Sequence, residues 1–221
     1  LKALEDRIAP QKRPFRIRMH VSLAVRWLLP RLSSFYALNP ALCLSIETVS
    51  GEVVDTSGDC DAYVLYLRDG LDGRPLTVLF DEYLVPVCAP KLGDGQLPPR
   101  SLKALGEHAL IHGSTARHEW NLWLQAQGIH EPVRCSQGPS FEDDFLLVRA
   151  ALTSQGLALV PEFSVEEELR EGKLQVALEK TWPARFAYYA VTLPETLNRP
   201  EVRDVLGWLV EQATDVPMPV L

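Results

Sequence analysis

The sequence predicts an α/β protein of two lobes that are joined by two crossover strands. Strand-like and helix-like segments alternate from Phe15 to Leu67, which is typical of a mostly parallel sheet covered by helices. Proline and glycine then punctuate residues 90–99, and a second alternation follows. Two such lobes form a hinged clamshell, a fold that binds small molecules in the cleft between its lobes.

The first alternation begins with a strand at 15–21, where apolar and polar residues alternate. Ser22 is a candidate N-cap for the helix that follows, and Pro30 predicts a kink or a new first turn within that helix. A short helix is predicted to open at 51–55. The further strands predicted here are 42–49, 61–67, 76–80 and 82–89.

The second alternation predicts a helix that carries Trp120 and Trp123 on one face, where both side chains are expected in the core. A later helix, from Phe145 to Leu152, is predicted to end with Gly156 as its C-cap. The helices 166–170 and 201–213 complete the set. The strands predicted in this part are 109–112, 132–137, 157–160 and 186–192.

The crossings between lobes are predicted near 86–89 and near 185–189. The chain is therefore divided into four parts: 1–13 as the end of a linker helix, 14–87 plus 189–215 as lobe I, 88–188 as lobe II, and 216–221 as a tail. The linker rests on Leu1, Leu4 and Ile8, which recur at helical spacing, and a simple surface helix is the alternative. The chain lacks an initiator Met, so we expect it to be part of a longer protein.

Composition excludes several functions. The net charge of -7 disfavours binding of a phosphate backbone, and no apolar run approaches the ~20 residues that cross a bilayer. Phosphate-loop, zinc-finger, G-x-S-x-G and H-E-x-x-H patterns are absent. We therefore expect no catalytic residue, no metal and no cofactor. The four cysteines lack a pairing pattern, which favours a reducing compartment, and Cys60, in a Gly- and Asp-rich turn, is expected to be exposed.

Residues 21–35, V-S-L-A-V-R-W-L-L-P-R-L-S-S-F, followed by Asn39-Pro40, resemble the start of the effector-binding domain of LysR-type transcriptional regulators. The resemblance is to the branch that includes the glycine-cleavage and β-lactamase activators, and it extends over residues 14–212. Further matching motifs are L-V-P-V-C-A-P at 84–90, F-E-D-D at 141–144, S-Q-G-L-A-L at 154–159 and E-G-K-L at 171–174. One motif departs from the family pattern: an Arg-Tyr-Gly run often follows the third strand, and here the Arg is replaced by Leu65 or is shifted along the chain to Arg68.

The resemblance implies a type 2 periplasmic-binding-protein-like clamshell of two Rossmann-like lobes. It also implies a cytoplasmic homodimer or homotetramer that senses a small-molecule effector and contacts promoter DNA only through a winged helix-turn-helix domain before Leu1, with no membrane contact. Subunits in this family usually pair through the first helix and the helix after Asp144, which makes Leu147 and Arg149 candidates. The alternative is a periplasmic solute-binding protein of a transporter, which would share the fold.

Ligands of parallel α/β folds lie at the carboxyl ends of strands, against helix N-termini. Free N–H groups at Ser22 favour an anion, or Ser22 only caps its helix, and Ser50 has the same two interpretations. Arg68 would clamp a carboxylate, or it is a surface residue of a turn. The candidate effector-binding residues of lobe I are Ser22, Leu23, Ala24, Ser50, Leu67 and Arg68.

In lobe II the candidates follow two strands and precede a helix. The carboxylates at 142–144 either complement the helix N-terminus or pair with an effector amine. Amides in one lobe and carboxylates in the other would suit a carboxylate or amino-acid-like metabolite, or an amino sugar. The candidate effector-binding residues of lobe II are His112, Ser114, Phe141, Glu142, Asp143 and Pro161.

Overall fold

A computed structural model of the chain describes residues 13–50, 56, 59–68, 76–93, 95–113, 119–130, 136–178 and 182–214. Within these residues, nine strands form one sheet in the order β2-β1-β3-β9-β4-β7-β5-β6, and β8 pairs with β4. The strands are β1 (Phe15–His20), β2 (Leu44–Val49), β3 (Ala62–Leu67), β4 (Leu76–Cys88), β5 (Ala109–Gly113), β6 (Ser136–Phe141), β7 (Leu157–Pro161), β8 (Gln175–Val176) and β9 (Trp182–Thr192). Residues 1–12 of the predicted linker helix, the predicted helix at 51–55 and Ser114 lie outside the described residues.

Helices cover the sheet between the strands, as the alternation predicts. The first, α1, occupies 21–38 and changes type along its length. The regular helices are α2 (Glu119–Ala126), α3 (Asp144–Leu152), α4 (Glu166–Arg170) and α5 (Pro200–Thr214). Short 3-10 turns lie at Leu102–Glu107, Glu162–Ser164 and Pro194–Thr196.

The sheet combines two parallel groups with an antiparallel centre. β1 pairs in parallel with β2 and β3, and β5 pairs in parallel with β6 and β7. Between these groups, β9 and β4 are antiparallel to each other and to their outer neighbours. The mixed α/β sheet with two lobes is the predicted fold class.

Separate hydrophobic cores define the two lobes. In lobe I, Trp27, Phe35, Phe80 and Trp208 pack together between the sheet and helices α1 and α5. In lobe II, both faces of the sheet are covered, as the alternation within β7 shows. Leu157 and Leu159 pack with Trp120 and Trp123 on one face, whereas Ala158 and Val160 pack with Val148 of α3 on the other.

β4 passes through both cores. The runs predicted as two strands, 76–80 and 82–89, are one strand, because register shifts at Val78/Phe80 and Asp81/Tyr83 absorb the irregularity without breaking the pairing with β9. β4 continues against β7 from Leu84 to Val87. The two longest strands, β4 and β9, therefore lie side by side where the lobes meet.

Pro30 explains the irregularity of α1. The stretch begins as an α-helical turn (Val21–Leu23), widens to a π turn (Ala24–Leu28), tightens to a 3-10 turn (Leu29–Arg31) and resumes as an α-helix (Leu32–Leu38). Proline has no N–H to donate to the preceding turn, so the ladder of hydrogen bonds must change there. The predicted change at Pro30 is confirmed.

Two local predictions were wrong. Helix α3 ends at Leu152 with Thr153 as its C-cap and Ser154 at a left-handed φ of 62°, so Gly156 is not the cap. Gly156 is required for another reason, since a Cβ there would lie 2.3 Å from the carbonyl oxygen of Ala109. Cys60 is 2% exposed, because it packs with Tyr63 and other apolar residues of the sheet.

No helix within the described ranges is both long enough and apolar enough to cross a membrane.

We predict that Gly138→Ala destabilises the fold by about 2 kcal/mol or more, the cost of strong overpacking. A Cβ at Gly138 would lie 1.8 Å from the carbonyl oxygen of Leu110 on the neighbouring strand, where only backbone could move. Gly207→Ala is the matched control. Gly207 lies in α5 with open space around it, so alanine should stabilise the helix by about 0.5–1 kcal/mol. Urea unfolding measures both, and a Gly138→Ala protein as stable as the wild type would contradict the prediction.

Candidate functional site

Side chains from both lobes meet where the carboxyl ends of β1 and β6 approach the central strands β4 and β9. Residues that follow β1 contact residues that precede α3, although more than 100 positions separate them in sequence. We call this region the interlobe site. It consists of His20, Ser22, Tyr66, Glu82, Glu119, Asp143, Asp144 and Tyr188.

Ser22 and Asp143 join the two lobes directly. The hydroxyl of Ser22 donates a hydrogen bond of 3.2 Å to Oδ1 of Asp143, and Ser22 is only 4% exposed. The same carboxylate oxygen accepts the backbone N–H of Phe145 at 2.7 Å and thereby caps α3. Asp143 therefore caps the helix, which is one of the two roles that the sequence left open, and it also contacts Ser22 across the cleft; its pairing with an effector amine stays a prediction.

His20, and not Ser22, is the N-cap of α1. Its Nδ1 accepts the backbone N–H of Ser22 at 3.3 Å, whereas the Ser22 side chain points to Asp143. Burial lowers the pKa of His20 below its usual value, and the nearby Asp143 opposes this shift. A neutral imidazole keeps Nδ1 available as an acceptor. The N-terminus of α1 thus already has a cap and already faces a carboxylate.

Glu82 lies at the centre of the interlobe site. It is a residue of β4, is 3% exposed, and accepts hydrogen bonds from the hydroxyls of Tyr66 and Tyr188, the latter at 3.0 Å. Burial, together with the charges of Asp144 and Glu119, raises the pKa of Glu82 to about 8, although the hydrogen bonds from the two tyrosines oppose the shift. Sequence reasoning missed Glu82. Period-two alternation from Phe80 would have flagged it as an inward-facing acid.

Two further carboxyl groups extend from lobe II toward Glu82. Glu119 is the first residue of α2, and burial together with the charge of Asp144 raises its pKa to about 7. Asp144 is the first residue of α3, and burial together with the charge of Asp143 raises its pKa to about 6. These carboxyl groups oppose one another's ionisation. The interlobe site can therefore accept a positive charge, and each such charge would favour release of protons.

Arg68 lies at the border of this site. Its guanidinium stacks on the ring of Phe186 at 5.2 Å, and that ring stacks on Tyr66 at 4.6 Å. Leu67, the neighbouring candidate, packs on the other face of the sheet with the cluster around Tyr63 and Leu65.

The remaining candidates in lobe I are less central. Leu23 and Ala24 are 1% and 2% exposed, and their side chains lie in the lobe I core. Ser50 is exposed at the end of the edge strand β2.

The candidates in lobe II have varied surroundings. Phe141 packs against the lobe II core and Glu142 is exposed. His112 pairs with Ser140 across β5 and β6. Pro161 ends β7 opposite Leu84, and its carbonyl accepts the hydroxyl of Ser164 at 2.6 Å.

A second connection between the lobes lies beside Ser22 and Asp143. Nη1 of Arg26 on α1 contacts Oε1 of Glu168 on α4 at 2.7 Å, and the guanidinium lies 5.4 Å from the ring of Phe145. Phe163, on the turn after β7, inserts into the lobe I core against Phe80 and Tyr188. Because these contacts join residues far apart in the sequence, no local pattern indicated them.

An open groove of about 860 Å³ lies away from the interlobe site. Pro90, Leu97, Leu102 and Val176 are among its lining residues. It adjoins the carboxyl end of β4, whereas β7 ends at the opposite end of that pairing, so the groove is at the far edge of lobe II. Within the described ranges, no group of three or more His, Cys, Asp or Glu side chains could hold a metal ion.

Comparison with known proteins places these features in a family. The family model of the LysR substrate binding domain matches residues 9–214. The glycine cleavage system transcriptional activator of Escherichia coli strain K12 is 28% identical over 192 residues, which are 87% of this chain and 62% of that protein. The HTH-type transcriptional activator AmpR of Providencia stuartii is 36% identical over 156 residues, 69% of this chain and 50% of that protein.

Solved structures share the fold. The effector domain of the transcriptional regulator AmpR of Pseudomonas aeruginosa superposes with a TM-score of 0.78 at 24% identity, over 91% of this chain and 96% of that one. The regulatory domain of CrgA from Neisseria meningitidis gives 0.74 at 22% identity, over 92% and 100%. The chain thus spans less than two thirds of the length of these two curated relatives, but nearly all of the two solved domains. It belongs to the LysR substrate binding domain family.

Proposed function

We propose that this domain senses a small amino-acid-like metabolite at the interlobe site, and that binding changes the relative position of the two lobes. The observation that carries the proposal is the set of carboxyl groups, centred on the buried Glu82, to which both lobes contribute. Ser22 and Glu82 come from lobe I or the central strands, and Asp143, Asp144 and Glu119 come from lobe II. A ligand bound there contacts both lobes at once.

The chemistry of the site favours an ammonium group. Glu82, Glu119 and Asp144 have raised pKa values of about 8, 7 and 6, because burial and mutual repulsion disfavour their negative charges. A bound ammonium would offset both effects and allow ionisation. Arg68, at the border of the site, supplies a cation for the carboxylate of the same ligand. An amino acid, an amino sugar or a related zwitterion has both groups.

Binding can act on the lobes because a polar contact joins them at this site, beside the apolar packing of Phe163 on Tyr188. Ser22 and Asp143 share one hydrogen bond, which a ligand can replace or reinforce. Hinged two-lobe folds respond to ligands by small rotations about the strands that connect the lobes. In the whole regulator, such a rotation would change the geometry of the oligomer on DNA.

The whole protein extends this proposal. The chain spans 62% of the glycine cleavage activator and 50% of the Providencia AmpR, whose name includes HTH-type. We assign promoter binding to a helix-turn-helix domain outside this chain, since the net charge of -7 makes this domain a poor phosphate binder. The regulator would act in the cytoplasm, where the chromosome is. Its function is binding, and we assign it no catalytic step.

Self-association is part of the same proposal. The first helix exposes Leu29 and Leu38 at 49% and 67%, and α3 exposes Leu146 at 45%. These apolar side chains lie on the two helices through which the family usually pairs subunits. Leu147, a candidate on sequence grounds, is 3% exposed and packs in the lobe II core. The contact is therefore assigned to Leu146 and to the face of α1 that carries Leu29.

A thermal-shift screen tests the ligand class. The panel contains amino acids, amino sugars, organic acids and cell-wall fragments, and a ligand at a hundredfold excess over Kd stabilises the folded domain by about 2.7 kcal/mol. We expect stabilisation only by compounds that carry an amine. Asp143→Asn should weaken their binding by about tenfold or more, because a hydrogen bond to a charged group contributes about 1.5–3 kcal/mol.

The controls separate charge from shape. Asparagine keeps an oxygen that can accept from Ser22 and Phe145, so Asp143→Asn removes the charge and leaves the cap in place. Asp204→Asn, on the exposed face of α5, should bind every compound as the wild type does. Stabilisation by amine-free acids alone, or by no compound in the panel, would contradict the proposed ligand class.

The protonation of Glu82 predicts a pH dependence of stability. The unfolded carboxyl ionises near its usual pKa of 4.5, whereas the folded group stays protonated up to about pH 8. The unfolded state therefore binds fewer protons in this window, and the free energy of unfolding falls as the pH rises from about 5 to 8, by up to about 1.4 kcal/mol per pH unit for this group. Below pH 4.5 the contribution is fully present, and above about pH 8 it is lost.

Glu82→Gln should remove this contribution and flatten the profile. Urea unfolding at several pH values measures it, and the difference between the two proteins isolates Glu82, because Glu119 and Asp144 titrate in the same direction in both. Glu142→Gln, an exposed position beside the site, is the control and should follow the wild type. Parallel profiles for wild type and Glu82→Gln would show that Glu82 is not held protonated.

Sedimentation equilibrium tests the proposed contact between subunits. We expect Leu146→Asp to weaken self-association by about tenfold or more, because a buried contact would then hold an unpaired charge. Leu197→Asp places the same charge on a side chain that is 38% exposed elsewhere on lobe I, and it should leave the association unchanged. Equal effects of the two substitutions would mean that Leu146 is not in the contact.

A further inference from the structure

The contact between Arg26 and Glu168 crosses from one lobe to the other. Arg26 lies in the π turn of α1, and its neighbours Trp27 and Leu28 pack in the lobe I core. Glu168 lies on α4, which is anchored to the lobe II core through Val165. The two side chains are 17% and 10% exposed and their charged atoms are 2.7 Å apart. The pair is therefore mostly removed from water.

Only half of the possible hydrogen bonding between these groups is made. Nη1 of Arg26 donates to Oε1 of Glu168. The Nε of Arg26 and the Oε2 of Glu168 are both buried and have no hydrogen-bond partner among the residues that the structure describes. Guanidinium and carboxylate groups match each other as two parallel hydrogen bonds. An unpartnered buried polar atom destabilises the structure that contains it, so a movement of the lobes that forms the second bond is favoured.

The surroundings hold Arg26 in place for this second bond. The ring of Phe145 lies 5.4 Å from the guanidinium, and the backbone N–H of Phe145 is held by Asp143, the partner of Ser22. Ser22 and Arg26 are four residues apart on the same helical stretch. The Ser22–Asp143 and Arg26–Glu168 contacts between the lobes are thus neighbours, and a movement of the lobes that changes one contact changes the other.

Arg31, the other cation on this face, is already engaged. It donates to the carbonyl oxygen of Trp27 at 2.9 Å and lies over the Trp27 ring. Of the acids on the facing elements, Glu166 and Glu162 have pKa values raised by burial, and Arg31 and Arg170 partly oppose the shift of Glu166. Arg26 is consequently the side chain that pairs across the lobes here.

We propose that Arg26 and Glu168 form a latch between the lobes, with an open state of one hydrogen bond and a closed state of two. The structure shows the open state. Closure requires the lobes to rotate until Nε of Arg26 meets Oε2 of Glu168. The latch then sets the spacing between the lobes whether or not the interlobe site takes an amine.

Distances between spin labels test the latch. Cys43 is exposed in lobe I, and Gln125→Cys provides an exposed label site on α2 of lobe II, a helix outside the proposed subunit contact. Cys60 and Cys88 are buried and stay unlabelled, and Cys135 is replaced by serine. Pulsed electron–electron double resonance on this chain then measures the distance between the two labels, and so the separation of the lobes, in the wild-type background and in each latch variant.

Arg26→Gln and Glu168→Gln should lengthen or broaden the separation by about 2 Å or more, the scale of a domain rearrangement. The exchange Arg26→Glu with Glu168→Arg should restore the wild-type distribution. Arg26→Lys keeps the charge but cannot form two parallel hydrogen bonds. The distribution of label distances should therefore lose only its shorter component, which corresponds to the closed state. If both glutamine variants match the wild type, the pair does not set the spacing; if the lysine variant matches, the closed state does not exist.

The ion pair between Arg199 and Asp61 is the matched control. It spans 2.6 Å and is partly buried like the latch, but both residues lie in lobe I. Asp61→Asn should lower the thermal midpoint and leave the label distance unchanged. Far-ultraviolet circular dichroism checks that each variant is folded before its label distance is compared. The Asp61→Asn variant separates a distance change caused by the loss of any buried charge from one that depends on the latch.

Discussion

Strands β4 and β9 lie side by side from Leu76 opposite Val191 to Leu84 opposite Trp182, so their shared hydrogen bonds run through the junction between the lobes. This pairing fixes how the lobes can move. A separation along the strand direction would break the ladder, whereas a small rotation about the paired strands would leave it intact. Register shifts on β4 at Val78/Phe80 and Asp81/Tyr83 lie within this segment, where a twisted backbone concentrates bending.

The same pairing explains why an acid can be buried at the centre of the molecule. Glu82 is fixed on β4, and Tyr188 is fixed on the paired strand β9 with its hydroxyl 3.0 Å from the carboxyl group. Tyr66 on β3 donates to the other carboxyl oxygen. The two donated hydrogen bonds favour the carboxylate, but burial outweighs them, so the pKa of Glu82 stays raised. A metabolite that brings a positive charge changes this balance at the point where the lobes are joined.

The sequence predicts much of the fold because its signals are local. Period-two alternation at 15–21 and the helix-strand order indicate the sheet, and Pro30 marks the change within α1. The predictions that were wrong also have physical reasons. Ser22 resembles a cap by residue type, yet His20 reaches the free N–H first and leaves the serine hydroxyl for Asp143. Likewise, a glycine shortly after a helical segment suggested a cap at Gly156, whereas the reason for a glycine there is the close approach of Ala109.

The two polar contacts between the lobes could not be predicted. Ser22 and Asp143 are separated by 121 positions, and Arg26 and Glu168 by 142, while the local sequence around each fits an ordinary surface helix. Arg26 and Glu168 differ from a surface pair in one respect that only burial reveals. In water, an unmade second hydrogen bond costs little, since solvent supplies it; here the unpartnered Nε and Oε2 have no such substitute among the described residues. The partial dehydration that makes the open state costly is therefore the same feature that gives a small rotation of the lobes a favourable end point.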